Sequence, residues 1–356
     1  MSVFHKKFFD PSPPFAGIDI GDLSIKAVQM DLEKKHVSRV RSSGVKLHSD
    51  AIVDGTLMKP DDVAAGIVSA CEQAGISTKE LVCSLPETKA FLRIISIPQM
   101  TAAEVGEAIK WEMEANIPMA IDQVYYDWQI LPRHMQGEPD KMSVLVIAVS
   151  RVIVDQFMAM LSSVGYVARR FEIESLAQAK SMLPEKHDET TMIVDIGDRR
   201  TSFLIVTSGI PVFTSSIPLS SEAMTDVIGK AMGLSRSEAE KVKFAHGIGS
   251  ALKNDHIFQA VQPIIDGFTA EIRKSMNFYL TGLRYSQQID NVILCGGGAK
   301  TKGLMPYLSR QIGKDVQFGD PWTNVQFKNL PPINRESSVQ YTTAIGLAMQ
   351  SDEDII

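Results

Sequence analysis

The tetrapeptide Asp-Ile-Gly-Asp occurs twice in this chain, each time between two apolar runs: "FAGIDIGDLSIKAVQM" (Phe15 to Met30) and "MIVDIGDRRTSFLIV" (Met192 to Val206). In the first copy Ile18 and Ile20 flank Asp19, and Ile25, Ala27 and Met30 resume the apolar pattern after the turn, so the stretch reads as two short strands joined by a tight acidic turn. Asp19 and Asp195 lie 176 positions apart, close to half of the 356 residues. A strand-turn-strand device repeated at that interval suggests two related halves.

Length permits this, because 356 residues suffice for about two domains at ~150 residues each. With 44% hydrophobic and 22% charged residues, each half can bury its own core. The net charge of −6, from 42 acidic and 36 basic residues, argues against binding a phosphate backbone, so no nucleic acid is expected as a partner. No apolar run reaches the ~18 residues of a membrane span. The N-terminal "MSVFHKKFFDPSPP" also lacks the apolar core of a signal peptide. The expected location is the cytoplasm, with the membrane reached only through partners. Cys71, Cys83 and Cys295 are dispersed and form no CxxC pair, which favours buried thiols over a disulfide framework or a zinc site. Residues 1–14 mix Phe4, Phe8 and Phe9 with His5, Lys6 and Lys7 and close on Pro11, Pro13 and Pro14. They read as a flexible tail, with a docking element as the alternative.

After the first hairpin, His36 to Leu47 alternates like a third strand, Pro60 to Ile76 has helical spacing closed by Gly75, and Leu81 to Pro86 reads as a buried strand. From Phe91 the order becomes strand, helix (Thr101 to Asn116, with Val105, Ile109, Met113 and Ile117 on one stripe), strand, strand, helix, strand. This βαββαβ run reads as an inserted subdomain over 90–171, with an exposed hairpin connection at "PRHMQGEPDK". A continuation of the first sheet is the alternative. The first lobe is then 15–89 together with 172–190 and 337–356. The second lobe, 191–336, repeats the three-strand opening and carries a helical subdomain at about 225–288. Asn291 to Cys295 forms a strand ending in Gly296, Gly297 and Gly298; a final helix follows Pro331 and Pro332, and "SDEDII" reads as a frayed end.

Backbone N–H groups of such a turn can converge on a phosphate oxygen, and Gly21 or Gly197 allows the close approach that a side chain would block. Asp19 and Asp195 repel phosphate but can hold a hydrated Mg²⁺ that attracts it. Ser24 and Lys26 after the first turn, and Thr201 and Ser202 after the second, supply hydroxyls and a cation. One such turn alone reads more readily as a plain Asp-Gly hairpin. Two copies half a chain apart favour a phosphate clamp. The run "VILCGGGAKTKGLMPYL" offers bare backbone where a nucleotide can lie against it. It is not a P-loop, since Ala299 rather than glycine precedes Lys300 and Thr301.

These three pieces, in this order, resemble the actin-like ATPase superfamily. "GIDIGDLSIK" looks like its first phosphate motif, with Gly21, Asp22, Ser24 and Lys26; "VDIGDRRTS" looks like the second, with Gly197, Asp198 and Thr201. "ILCGGGAKTKGL" looks like the adenosine motif, with Gly296, Gly297, Gly298 and Lys302. "EIESLAQA" and "TTAIGLAM" resemble the two connecting helices. "AEKVK" resembles the helix whose Glu and Lys face the ribose and base, implying Glu240 and Lys243. The resemblance implies an α/β fold of two lobes around an ATP and Mg²⁺ cleft, with Asp19 and Asp195 at the metal and Glu174 positioning the attacking water. Asp22 and Leu23, and then Asp198, Arg199 and Arg200, depart from the superfamily's usual small turns, which implies slow hydrolysis at best.

The βαββαβ insertion looks like that of FtsA and of the PilM proteins of type IV pilus assembly, and "GVKLHSDAIVDGTLMKPDDVAAGI" resembles the corresponding PilM stretch. The acidic end in place of a membrane-targeting helix favours the PilM family. That resemblance implies an assembly protein that recruits the cytoplasmic N-terminal tail of a PilN-like inner-membrane pilus protein in a nucleotide-dependent way, with self-association left open. An FtsA-like filament protein and a small-molecule kinase are the alternatives. Trp111, Tyr125, Tyr126 and Trp128 concentrate in the insertion although the chain holds 3 Trp and 7 Tyr in all, so at least one is expected to line a partner surface.

Overall fold

A computed structural model describes residues 14–33, 36–117, 119–132, 135, 140–248, 256–283, 287–328 and 333–349. Residues 1–13 of the expected tail, most of the connection expected at 132–141, Pro331, Pro332 and the last six residues lie outside them.

The first lobe opens with β1 (Ala16–Ile20), β2 (Ser24–Glu33) and β3 (His36–Lys46), an antiparallel meander. A two-stranded hairpin, β4 (Ile52–Val53) and β5 (Thr56–Leu57), leads to α1 (Pro60–Ala74) and β6 (Glu80–Leu85). Proline in the first turn and Asp61 and Asp62 beside it suit the helix N-terminus. Gly75, at φ 68°, closes α1 in the left-handed conformation that glycine adopts without strain.

Next come β7 (Ala90–Pro98), α2 (Ala102–Asn116), β8 (Val124–Ile130), β9 (Lys141–Ser150), α3 (Arg151–Ser163) and β10 (Val167–Ile173). Order and type follow the expectation, but the grouping does not. Only β7, β9 and β8 form the separate three-stranded sheet, on which α2 buries its Val105, Ile109 and Met113 stripe. β10 instead pairs in parallel with β6, from Val167 against Glu80 to Ile173 against Leu85. The apolar face of α3 (Phe157, Met160, Leu161) shares a core with Val63, Ile67 and Cys71 of α1. The inserted unit is therefore 90–150 rather than 90–171, because its last helix and strand bury their apolar faces on the first lobe.

α4 (Glu174–Met182) leads into β11 (Thr190–Ile196), β12 (Thr201–Thr207) and β13 (Ile210–Ile217). The helices α5 (Ser221–Met232), α6 (Arg236–Ala245) and α7 (His256–Asn277) follow, then β14 (Asn291–Cys295), α8 (Leu304–Ile312) and β15 (Asp315–Phe318). The helical part thus starts at Ser221, a few residues before the expected 225. Strand order is β10-β6-β1-β2-β3 in one lobe and β15-β14-β11-β12-β13 in the other. In each, the first two hairpins are antiparallel, and two further strands add in parallel beside the central one. The sequence repeat is thus a repeat of topology.

The last described elements are α9 (Arg335–Ser338) and α10 (Thr342–Ala348), the latter lying against β1 and α4. A Cβ on Gly346 would come 1.9 Å from the Ala177 carbonyl oxygen of α4, and one on Gly17 would come 2.4 Å from that of Ala344. The backbones cross too closely for any side chain. Gly346→Ala is accordingly expected to lower stability by about 1–3 kcal/mol, the usual cost of overpacking, readable from the urea midpoint. An unchanged midpoint would show that the helices separate freely.

Candidate functional site

Register places the two acidic turns. Asp19 pairs across the hairpin with Lys26, and Asp195 pairs with Ser202. Cross-strand partners share a face of the sheet, so each pair points to the same side. The Gly21 amide donates to the Ser24 carbonyl at 3.0 Å and the Gly197 amide to the Arg200 carbonyl at 2.9 Å, so both turns close alike. They face one cleft of about 380 Å³, within the ~300–1,000 Å³ range of small-molecule sites.

Of the residues singled out from the sequence, Asp19, Gly21, Asp22, Ser24, Lys26, Glu174, Asp195, Gly197, Asp198, Glu240, Gly296 and Gly297 line this cleft. Four do not. Thr201 is register-equivalent to the buried Ile25, and its hydroxyl donates to the Leu219 carbonyl; Ser202 faces the cleft instead. Gly298 packs under the turn, where a Cβ would meet Ile196 and Ser221. Lys302 donates to the Ala245 carbonyl on the outside, whereas Lys300 lines the cleft and donates to Gln340 Oε1 at 3.0 Å. Lys243 is only 2% exposed. Its ammonium donates to the Ser221 carbonyl, Ser221 Oγ and Thr225 Oγ1 at 2.7–3.0 Å, tying α6 to α5, and Phe244 takes the cleft position beside Glu240. Burial pulls the Lys243 pKa down to about 8.

Electrostatic crowding dominates the floor. Lys26 Nζ lies 3.0 Å from Asp19 Oδ2. Burial lowers the pKa of this lysine, but Asp19, then Asp198, outweigh it and raise it. Burial and the nearby Asp19 push Asp195 up to about 6, against the pull of Lys26. Glu174, the first residue of α4, accepts from the Glu87 amide at 3.4 Å. Burial, followed by the charges of Asp19, Asp195 and Glu87, holds its carboxyl well above the usual range. One helical turn on, Gln178 Nε2 donates to Asp195 Oδ2 at 2.7 Å and to Thr343 Oγ1 of α10 at 3.0 Å, joining both connecting helices to the second turn. Among the described residues, no group of three or more His, Cys, Asp or Glu is placed to ligate a metal directly. A cation here would be held through water and ligand oxygens, as Mg²⁺ commonly is.

Two lobes of one topology, each presenting the same acidic turn to a shared cleft, with a strand-glycine turn at its side, make the actin-like ATPase fold. Residues 17–352 match the family described as type IV pilus assembly protein PilM, and the chain belongs to that family. A solved PilM-PilN type IV pilus biogenesis complex superposes with a TM-score of 0.80 at 24% identity, covering 95% of this chain and 98% of that one. MreB5 of Spiroplasma citri bound to AMPPNP shares the fold at a TM-score of 0.54 and 14% identity, covering 95% of each chain. The cell division protein FtsA of Pseudomonas aeruginosa is 26% identical over 196 residues, 50% of this chain and 46% of FtsA. The chain thus spans about half the length of the curated relatives it matches. Among the described residues, no helix is long and apolar enough to cross a membrane.

Proposed function

We propose that this chain is an ATP-binding assembly protein of the type IV pilus inner-membrane platform. The observation that carries the reading is the pair of matching turns at Asp19 and Asp195 facing one cleft from two lobes. Amides of both turns approach the phosphates, while Gly296 and Gly297 offer bare backbone to the adenosine; at Gly297 no atom lies within 4 Å of where a Cβ would stand. Phe244, Glu240 and Lys300 border that end. The crowded carboxylates fit a cation: a hydrated Mg²⁺ held by Asp19 and Asp195 supplies the charge neutralisation they need beside phosphate. Hydrolysis is slow, because burial and the charges of Asp19, Asp195 and Glu87 raise the Glu174 pKa and so disfavour the ionised form that would accept a water proton.

The nucleotide-closed form recruits the cytoplasmic N-terminal tail of a PilN-like inner-membrane protein, and the chain reaches the membrane through that partner. The likeness to a protein solved in a PilM-PilN complex supports the choice of partner. The inserted unit is the docking element. Tyr126 and Trp128 pack on its core, while Trp111, 74% exposed on α2, is free to anchor an extended peptide. The test is capture of a synthetic PilN-like tail by the purified chain with and without ATP and Mg²⁺. Capture is expected only with nucleotide, and at least about tenfold weaker in Trp111→Ala, the loss of one aromatic anchor. Equal capture in both conditions would overturn nucleotide dependence.

A further inference from the structure

The second acidic turn differs from the first in carrying two arginines, and both guanidinium groups reach out of their own lobe. Arg199 donates to the Ser49 carbonyl and, at 3.5 Å, to the Ile52 carbonyl, while its Nε lies 3.7 Å from Glu222 Oε2. Arg200 donates from Nε to Ser216 Oγ at 2.9 Å and from Nη1 to Asp54 Oδ1 at 3.2 Å. All the first-lobe acceptors belong to the β4–β5 hairpin and the segment just before it.

That hairpin is stiff. Its two central residues, Asp54 (φ 48°) and Gly55 (φ 72°), both adopt positive φ, the requirement of a type I′ turn. A Cβ on Gly55 would meet Pro86 Cβ at 2.6 Å, and Thr88 Oγ1 donates to the Asp54 carbonyl at 3.2 Å. The hairpin also holds the first acidic turn, since the Gly55 amide donates to Asp22 Oδ1 at 3.2 Å. One rigid two-residue loop therefore touches both Asp-Ile-Gly-Asp turns.

We propose that the hairpin Ile52–Leu57 and the arginines Arg199 and Arg200 form a latch between the lobes across the phosphate end of the cleft, one that must release each time nucleotide enters or leaves. This regulation rests on the nucleotide-binding reading of the cleft. Arg199 carries most of it: its donors are half-buried and charge-assisted, the strong class of hydrogen bond. The Arg200 pair with Asp54, whose side chain is 71% exposed, contributes less.

Two measurements on the full chain test the latch in wild type, Arg199→Ala and Asp54→Asn. Without nucleotide, amide exchange over residues 49–57 should quicken about tenfold in Arg199→Ala, the order expected for losing charge-assisted hydrogen bonds, and less in Asp54→Asn. Unchanged exchange in a cooperatively melting Arg199→Ala overturns the latch, whether or not nucleotide binds. With a fluorescent ATP analogue, association and dissociation should both accelerate about tenfold while the affinity moves little. Faster dissociation alone would make Arg199 a ligand contact and the latch wrong. Loosened exchange in a wild-type background that binds no nucleotide would leave the latch standing and remove the nucleotide-binding reading. Should Arg199→Ala fail to fold, Arg199→Lys is read by the same criteria, since lysine keeps the charge and loses the forked donors.

Discussion

Asp19→Asn together with Asp195→Asn is expected to weaken Mg²⁺-dependent ATP binding by a factor of about 100 or more, measured by calorimetry. The magnitude follows from removing two charged partners, each worth ~1.5–3 kcal/mol in a charge-assisted contact. Both substitutions conserve volume, and an amide oxygen at 195 still accepts from Gln178, so the fold is retained. In the presence of EDTA the difference from wild type should shrink, because the carboxylates then repel phosphate instead of holding a cation near it. Undiminished affinity in the folded double variant would mean that these turns do not clamp the nucleotide.

The repeat in the sequence carried most of the fold, since two identical turns between apolar runs can only mean two similar strand openings, and both sheets share one strand order. Periodicity also located the strands of both openings and of the insertion and the helices α1, α2 and α3, but not β4, β5 or β15. It could not say which sheet a strand joins, and for that reason β10 and α3 were grouped with the insertion although they pair with β6 and α1. Within the site, Thr201 was misassigned where alignment of the two repeats would have succeeded. Asp19 to Lys26 and Asp195 to Ser202 are the same interval, which aligns Thr201 with the buried Ile25 and Ser202 with Lys26. Lys243 and Lys302 rested on resemblance alone. Helical phase turns Lys243 onto α5 and leaves the cleft to Glu240 and Phe244. Gln178 had a legible signal, its i+4 spacing from Glu174 on one helix face. Arg199 and Arg200 were noticed only as departures. What they touch depends on a hairpin some 150 positions earlier in the chain, and no local pattern reports that.

The same crowding that suits the cleft to a cation should make the nucleotide-free protein less stable at neutral pH than in mild acid. Asp195, Glu174 and Glu87 all have folded-state pKa values raised above their unfolded values, chiefly by burial. Between the unfolded and folded values the native protein binds protons that the unfolded chain has released, so stability falls as pH rises through that window. For Asp195 the window runs from 3.8 to about 6; for Glu174 it starts at 4.5 and extends well above. Glu174→Gln keeps the shape and removes the charge. It should therefore raise the urea midpoint of the apo protein at pH 7.5, change it little near pH 4.5, and flatten the slope between them. Replacing a native side chain in a binding cleft is here expected to stabilise, because its carboxyl is placed for a ligand and costs the empty protein free energy. A midpoint that fell at pH 7.5, or a slope as steep as wild type, would mean that Glu174 is ionised and satisfied within the protein, and the account of slow hydrolysis would fall with it.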